Sequence, residues 1–165
     1  MEIRELTPAD SAIFHELRLY ALQESPEAFG SSYEEEKDRP LDAVAERLSA
    51  ENNHVFGAFT GTGQLTGVTG LYREPRTKTH HKAQIWGVYV APGHRGRGAG
   101  SALIEAALSR ARELGLRQVN LGVNTASHAA VRLYESCGFE RFGLEKEAFK
   151  IGEDYYDSAN MALKL

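Results

Sequence analysis

The chain of 165 residues reads as one α/β domain built on a mixed sheet. Three observations carry that reading. Short β-like runs alternate with segments of helical apolar spacing, the pattern of helices laid on a sheet. Apolar residues make up 42% and charged residues 25%, enough to fill a core and to cover it. No internal repeat, low-complexity tract or linker divides the chain, so residues 1–165 are expected to form a single domain.

The elements follow in order. Glu2–Leu6 is a short strand, and Thr7-Pro8-Ala9-Asp10 suits a turn and helix cap. From Ser11 to Gln23 the apolar residues Ile13, Phe14, Leu17, Tyr20, Ala21 and Leu22 fall at mostly helical spacing. Ser25-Pro26 ends that helix, Glu27–Tyr33 reads as a loop, and a second helix over Leu41–Ala50 follows Pro40. The period then shortens. His54–Thr60 and Gln64–Tyr72 pair as a hairpin about Gly61-Thr62-Gly63, and Arg73–His81 is a polar loop.

Ala83–Val90 is a nearly continuous apolar run, as expected of a strand buried on both faces. Gly87 within it marks a bulge or a close ligand approach. Ala99–Leu114 has apolar residues at 99, 102, 103, 106, 107, 111 and 114, an amphipathic helix ended by Gly115. Gln118–Val123 is another strand. Ser127 caps a helix that runs to Cys137 and ends at Gly138. Phe139–Phe149 and Tyr155–Leu165 are the last two strands, joined around Gly152-Glu153-Asp154.

Composition excludes several function classes. A net charge of -4 argues against a broad nucleic-acid surface. One cysteine, Cys137, rules out an internal disulfide and fits a reducing cytoplasm. The N-terminus has no apolar stretch of the kind a signal peptide needs, and no run approaches the ~18 apolar residues of a membrane span. A soluble cytoplasmic protein is expected.

The stretch that carries chemistry runs from Val88 to Leu103. An apolar strand ends at Pro92, passes through a basic, glycine-rich turn and becomes a helix. Such a turn presents uncovered backbone N–H groups where the helix dipole is positive, a ready site for phosphate, and Arg95 and Arg97 add charge. Gly96, Gly98 and Gly100 read equally well as plain turn and packing glycines. The spacing fits neither common nucleotide template. There is no Gly-Lys-Ser/Thr, G-x-G-x-G is not G-x-G-x-x-G, and Val119–Gly122 lacks the acidic residue of a dinucleotide site.

Arg95-Gly96-Arg97-Gly98-Ala99-Gly100 resembles the Q/R-x-x-G-x-G/A motif of the GNAT superfamily of N-acetyltransferases. Upstream, Ala83–Pro92 is similar to that family's central strand. Downstream, Ala130-x-x-Leu133-Tyr134-x-x-x-Gly138-Phe139 resembles its second acetyl-CoA motif. The resemblance implies a mostly antiparallel mixed sheet with a splay between its two central strands, flanked by helices. It implies acetyl-CoA as donor, with no metal, and acetyl transfer to a primary amine of a small or amino-acid-like compound. A peptide amine is the alternative acceptor, and a non-catalytic acyl-CoA-binding domain the third reading. Homodimers are common in the family.

The resemblance also assigns residues. The turn amides of Arg95, Gly96, Arg97, Gly98, Ala99 and Gly100, with Ser101 beside them, would hold the pyrophosphate. The strand edge at Val88, Tyr89 and Val90 would pair with pantetheine. Tyr134 would be the general acid that protonates the leaving thiolate, although a helical tyrosine next to Leu133 otherwise reads as packing. Where relatives have a CoA-binding Asn seven residues before that tyrosine, this chain has Ser127, and Asn124 is the near substitute.

Where some relatives place a basic glutamate, this chain has Gln84, which cannot accept a proton. His80 and His81 are the titratable neighbours in the loop before. Cys137 has no His/acid partner in the pattern and reads as structural. Phe29, Tyr33, Tyr72, Trp86, Tyr155 and Tyr156 are candidates to line the acceptor site. The run Glu34–Arg39 reads as a solvated helix face, its other reading being attraction of a cationic acceptor.

Overall fold

The computed structural model describes every residue from Met1 to Leu165. Its elements keep the expected order: β1 (Glu2–Glu5), α1 (Ser11–Glu24), α2 (Tyr33–Glu36), α3 (Leu41–Ser49), β2 (Asn53–Phe59), β3 (Leu65–Arg73), β4 (Lys82–Val90), α4 (Ala99–Glu113), β5 (Gln118–Asn124), α5 (His128–Ser136), β6 (Glu140–Ile151) and β7 (Asp154–Lys164). Short 3-10 turns at Pro8–Asp10, Pro26–Ala28 and Pro92–His94 each open on proline, whose fixed φ suits a first helical position.

The strands form one sheet in the order β1-β2-β3-β4-β5-β7-β6. Every neighbouring pair is antiparallel except β4 and β5, whose parallel pairing uses α4 as the crossover. That pairing is short. Lys82–Gln84 meet Gln118–Asn120, and then the strands part. Leu121–Asn124 stay with β7, while Ile85–Val90 keep only β3 as a partner. The expected splay is present.

Gly87 lies at a bulge on the other side of β4. Trp86 opposes Gly70 and Tyr89 opposes Val68, so Gly87 and Val88 together face one residue of β3. Gly87 takes φ +63, a left-handed value natural to glycine. The extra residue changes which face the next side chains occupy. Ile85, Val88 and Val90 pack with the core under α4 and α5, whereas Trp86 and Tyr89 both join the core under α1 and α3.

Three sequence expectations change. β4 is covered on both faces but not fully buried: Gln84, Trp86, Val88 and Val90 are half-exposed, because cavities open on both sides of the strand. The expected loop over 27–33 contains the turn at Pro26–Ala28 and ends at α2, which a Ser32–Glu35 capping box starts. The run Glu34–Arg39 is not simply a solvated face. Glu36 is only 3% exposed, and both its carboxylate oxygens accept from Arg18, Nε to Oε2 and Nη2 to Oε1 at 2.9 Å. That carboxylate is therefore already neutralised and cannot draw in a cation from solvent.

Candidate active site

The turn between β4 and α4 is built as an anion cradle. Gly96 and Gly98 adopt φ +73 and +81, conformations that turn successive amides toward one side. Gly98 occupies the position before the first turn of α4. The amides of Gly96 through Ser101 have no acceptor among the backbone bonds, so the start of α4 keeps its N–H groups unspent. A Cβ at Gly96 or Gly98 would meet nothing within 4 Å, so glycine is needed there for conformation. At Gly100 it would sit 2.9 Å from Leu133 Cδ2, and that glycine serves the packing of α4 against α5.

A cleft of about 510 Å³ opens from this turn into the splay. It gathers Val88, Tyr89, Val90, Arg95, Gly96, Gly98, Ala99, Gly100, Ser101, Ser127 and Tyr134, and its other wall includes Ser25, Glu27, Ala28, His94 and His128. Two expected residues stand apart. Arg97 is exposed outside the lining. Asn124 is buried, donating from Nδ2 to the Glu27 carbonyl at 3.1 Å and accepting from the Ala126 amide at 2.9 Å. Both ends of that side chain are engaged in tying β5 to the cleft wall. Ser127 occupies the N-cap position of α5 without making the capping bond its sequence position suggests, and its side lines the cleft instead.

Arg95 is tied down rather than free. Its Nε donates to the Val90 carbonyl at 2.7 Å and its Nη2 to Glu24 Oε2 at 2.8 Å. The same carboxylate accepts from the Tyr89 hydroxyl at 2.8 Å. The Ser25 hydroxyl bond, outweighing burial, together with Arg95 and Tyr89, holds the Glu24 carboxyl below its ordinary value. Glu24 thus anchors the mouth of the cleft from α1, a role nothing in the sequence pattern announced.

Tyr134 lies at the inner end, 7% exposed, its ring edge-on to Phe139 with centroids 6.2 Å apart. Burial, with a smaller contribution from Cys137, pushes its phenol well above the usual tyrosine range. The phenol is protonated at neutral pH, as an unshifted tyrosine also is. Cys137 is half-buried against the same core, and burial raises its thiol too. That makes it a poor nucleophile.

The aromatic candidates divide. Tyr72 and Trp86 share a separate cavity of about 440 Å³ with Arg47, Ala50, Asn52, Asn53 and Gln84. Phe29 is buried between Tyr89 and Arg18, and Tyr33 packs in part against the same core. Tyr155 is exposed on the β6–β7 hairpin beneath Lys150, and Tyr156 is half-buried on that hairpin. Only Tyr72 and Trp86 meet around one space.

His80 and His81 are exposed in the loop before β4, at the opposite end of that strand from the phosphate turn. Gln84 Nε2 donates to Glu74 Oε1 at 3.4 Å. No group of three or more His, Cys, Asp or Glu is placed to hold a metal ion. No helix is long and apolar enough to cross a membrane.

A parted parallel strand pair, an amide-rich turn and a buried tyrosine thus line one cleft. The family model for the acetyltransferase (GNAT) family matches residues 17–139. The chain is similar to the N-alpha-acetyltransferase RimI of Mycobacterium tuberculosis, 36% identical over 71% of this chain and 72% of that protein. It is also similar to the spermidine N(1)-acetyltransferase of Vibrio cholerae, 35% identical over 75% of each chain. Its fold matches a phosphinothricin acetyltransferase of Sinorhizobium meliloti solved with acetyl-CoA, with TM-score 0.86 at 22% identity, covering 99% of this chain and 88% of that one. The chain belongs to the GNAT family of N-acetyltransferases, which transfer acetyl from acetyl-CoA to amines.

Sequence reasoning missed the polar frame around these spaces. Arg18 repeats the spacing Phe14, Arg18, Leu22 on the buried stripe of α1, and a charge on such a stripe signals a buried partner. Arg47, Asn52 and Asn53 carry no comparable signal, because they become neighbours of Trp86 only when α3 folds onto β2.

Proposed function

We propose that residues 1–165 act as one acetyltransferase domain that moves an acetyl group from acetyl-CoA to the primary amine of a small or amino-acid-like compound. The observation that carries this is the two-sided opening of β4: the donor cleft lies on its α4–α5 side and a smaller cavity beside Trp86 on its α1–α3 side. The donor supplies an activated thioester. The amides from Gly96 to Ser101 would hold its pyrophosphate, and the free edge of β4 from Val88 to Val90 would pair with the pantetheine amides.

The amine must attack in its neutral form, of which a lysine-like group has only about four parts in ten thousand at pH 7. As the carbon–nitrogen bond forms and the carbon–sulfur bond breaks, Tyr134 would protonate the departing sulfur, and the amine would release its proton to solvent. Release of free thiol, assayed across a panel of amines, tests the reading. Release with peptide N-termini alone would overturn the small-acceptor reading, and no release with any amine or peptide would overturn acetyl transfer.

That second reading, a peptide N-terminus as acceptor, is favoured by the likeness to RimI. A small cavity walled by α3 favours the small acceptor. The protein is further proposed to be cytoplasmic. A homodimer through the exposed Phe142, Leu144 and Tyr155 of the last hairpin is the proposed assembly, checked by light scattering.

A further inference from the structure

The cavity beside Trp86 is walled by Arg47, Asn52, Asn53, Tyr72 and Gln84. Its polar groups are unequally spent. Asn53 accepts from Trp86 Nε1 at 3.0 Å and donates to the Arg47 carbonyl at 2.8 Å, so it fixes the indole and the end of α3 together. The Gln84 amide faces Glu74. The Arg47 guanidinium lies 4.1 Å over the Trp86 ring and donates no hydrogen bond within the protein. Its nearest carboxylate oxygen, Glu36 Oε1, is 3.9 Å away and already accepts from Arg18.

The Arg47 guanidinium is therefore left without a hydrogen-bonded counter-ion. Two half-buried or buried guanidinium groups, Arg18 and Arg47, share the single carboxylate of Glu36. Burial, and then the like charge of Arg18, lower the Arg47 pKa to about 10, which leaves it cationic at neutral pH. Arg18 also links the cluster to the reaction side. Its Nη1 lies against the Gly87 bulge, 3.3 Å from where a Cβ would stand, and that bulge is where β4 has left β5.

We propose that this cavity binds the carboxylate of the acceptor, making free amino acids the substrate class, with Arg47 as the group that pairs with it. A guanidinium is a planar fork of N–H donors that two carboxylate oxygens match, and contact with the Trp86 ring restricts where Arg47 can point it. The inference rests on the reading that the chain acetylates a small amine, and it narrows that amine to one with a neighbouring free carboxylate.

Trp86 is the only tryptophan, so its emission reports on this cavity directly. The experiment titrates the protein, with CoA present, with the free amino acids and with their carboxamides, which keep the amine and side chain but lose the charge. Free-thiol release from acetyl-CoA is followed in parallel. The expected result is a saturable emission change with at least one amino acid and binding of its carboxamide roughly tenfold weaker or worse. Arg47→Gln should abolish that preference, and Arg47→Lys should keep much of it.

Equal binding of acid and carboxamide overturns the proposal, as does a preference that survives Arg47→Gln, or no response to any amino acid. If Arg47→Gln fails to fold, the wild-type pair and Arg47→Lys still decide. Equal thiol release from both forms overturns the carboxylate site and leaves acetyl transfer intact. Preferential binding of the acid with no thiol release supports the site and overturns the transfer reading.

Discussion

At the scale of single residues, environment decides what each side chain can do. A tyrosine in a helix is ordinarily packing, but Tyr134 reaches the inner end of a cleft, and its burial strengthens its hold on the proton. Tyr134→Phe is expected to lower turnover roughly tenfold to hundredfold while leaving acetyl-CoA affinity nearly unchanged, because a thiolate already leaves fairly well. Unchanged turnover would remove Tyr134 from the chemistry. With its pKa raised, Tyr134 stays protonated through neutral pH and adds no loss of rate below about pH 10. Asp10 works in the other direction. The Arg4 guanidinium, bonded at 2.8 and 2.9 Å, lowers its carboxyl to about 2. A depressed carboxylate stabilises the fold above its unfolded pKa, and that contribution disappears as pH falls through the folded value. Roughly 2 kcal/mol should therefore be lost between about pH 4 and pH 2. Urea unfolding of Asp10→Asn should show a flatter acid limb, and an identical pH profile in the variant would refute the assignment.

At the scale of elements, the turn before α4 and the bulge in β4 do the positioning. Gly98 has open space around its α-carbon and a left-handed φ of +81. Gly98→Asp places strain and a negative charge among the amides proposed to hold the pyrophosphate, and the KM for acetyl-CoA should rise at least tenfold. Retained affinity would show that the pyrophosphate lies elsewhere. Much of this was legible in the chain, because φ-permissive glycines next to a helix start leave a local pattern. The Gly87 bulge was legible as one of two alternatives. What it does was not: a single inserted residue puts Trp86 and Tyr89 on the same face, which depends on the β3 register. The loop after α1 was misread for a similar reason. Its turn is held by Asn124 and the end of α2 by Arg18, residues 97 and 18 positions from their partners, and only the Ser32–Glu35 capping box is local.

At the scale of the whole molecule, function follows from where the sheet comes apart. Backbone groups of β4 beyond Gln84 lose their β5 partners, and a ligand with amides can take that place. In hydrogen exchange, the segment from Ile85 to Ser101 should gain protection when acetyl-CoA is added, while Lys82–Gln84, paired on both sides, should change little. Uniform protection along β4 would place the donor outside the splay. The element order, the strand periods and the glycine-rich turn before α4 were determined by the chain alone, because each rests on spacing within about a dozen residues. Tertiary structure alone decided the rest. It engaged Asn124 and Arg95 in structural bonds, set Arg97 outside the cleft, buried Glu36 against Arg18 and brought Arg47 over Trp86. These are meetings between distant segments, fixed by sheet register and helix packing, and no local pattern of residues encodes them.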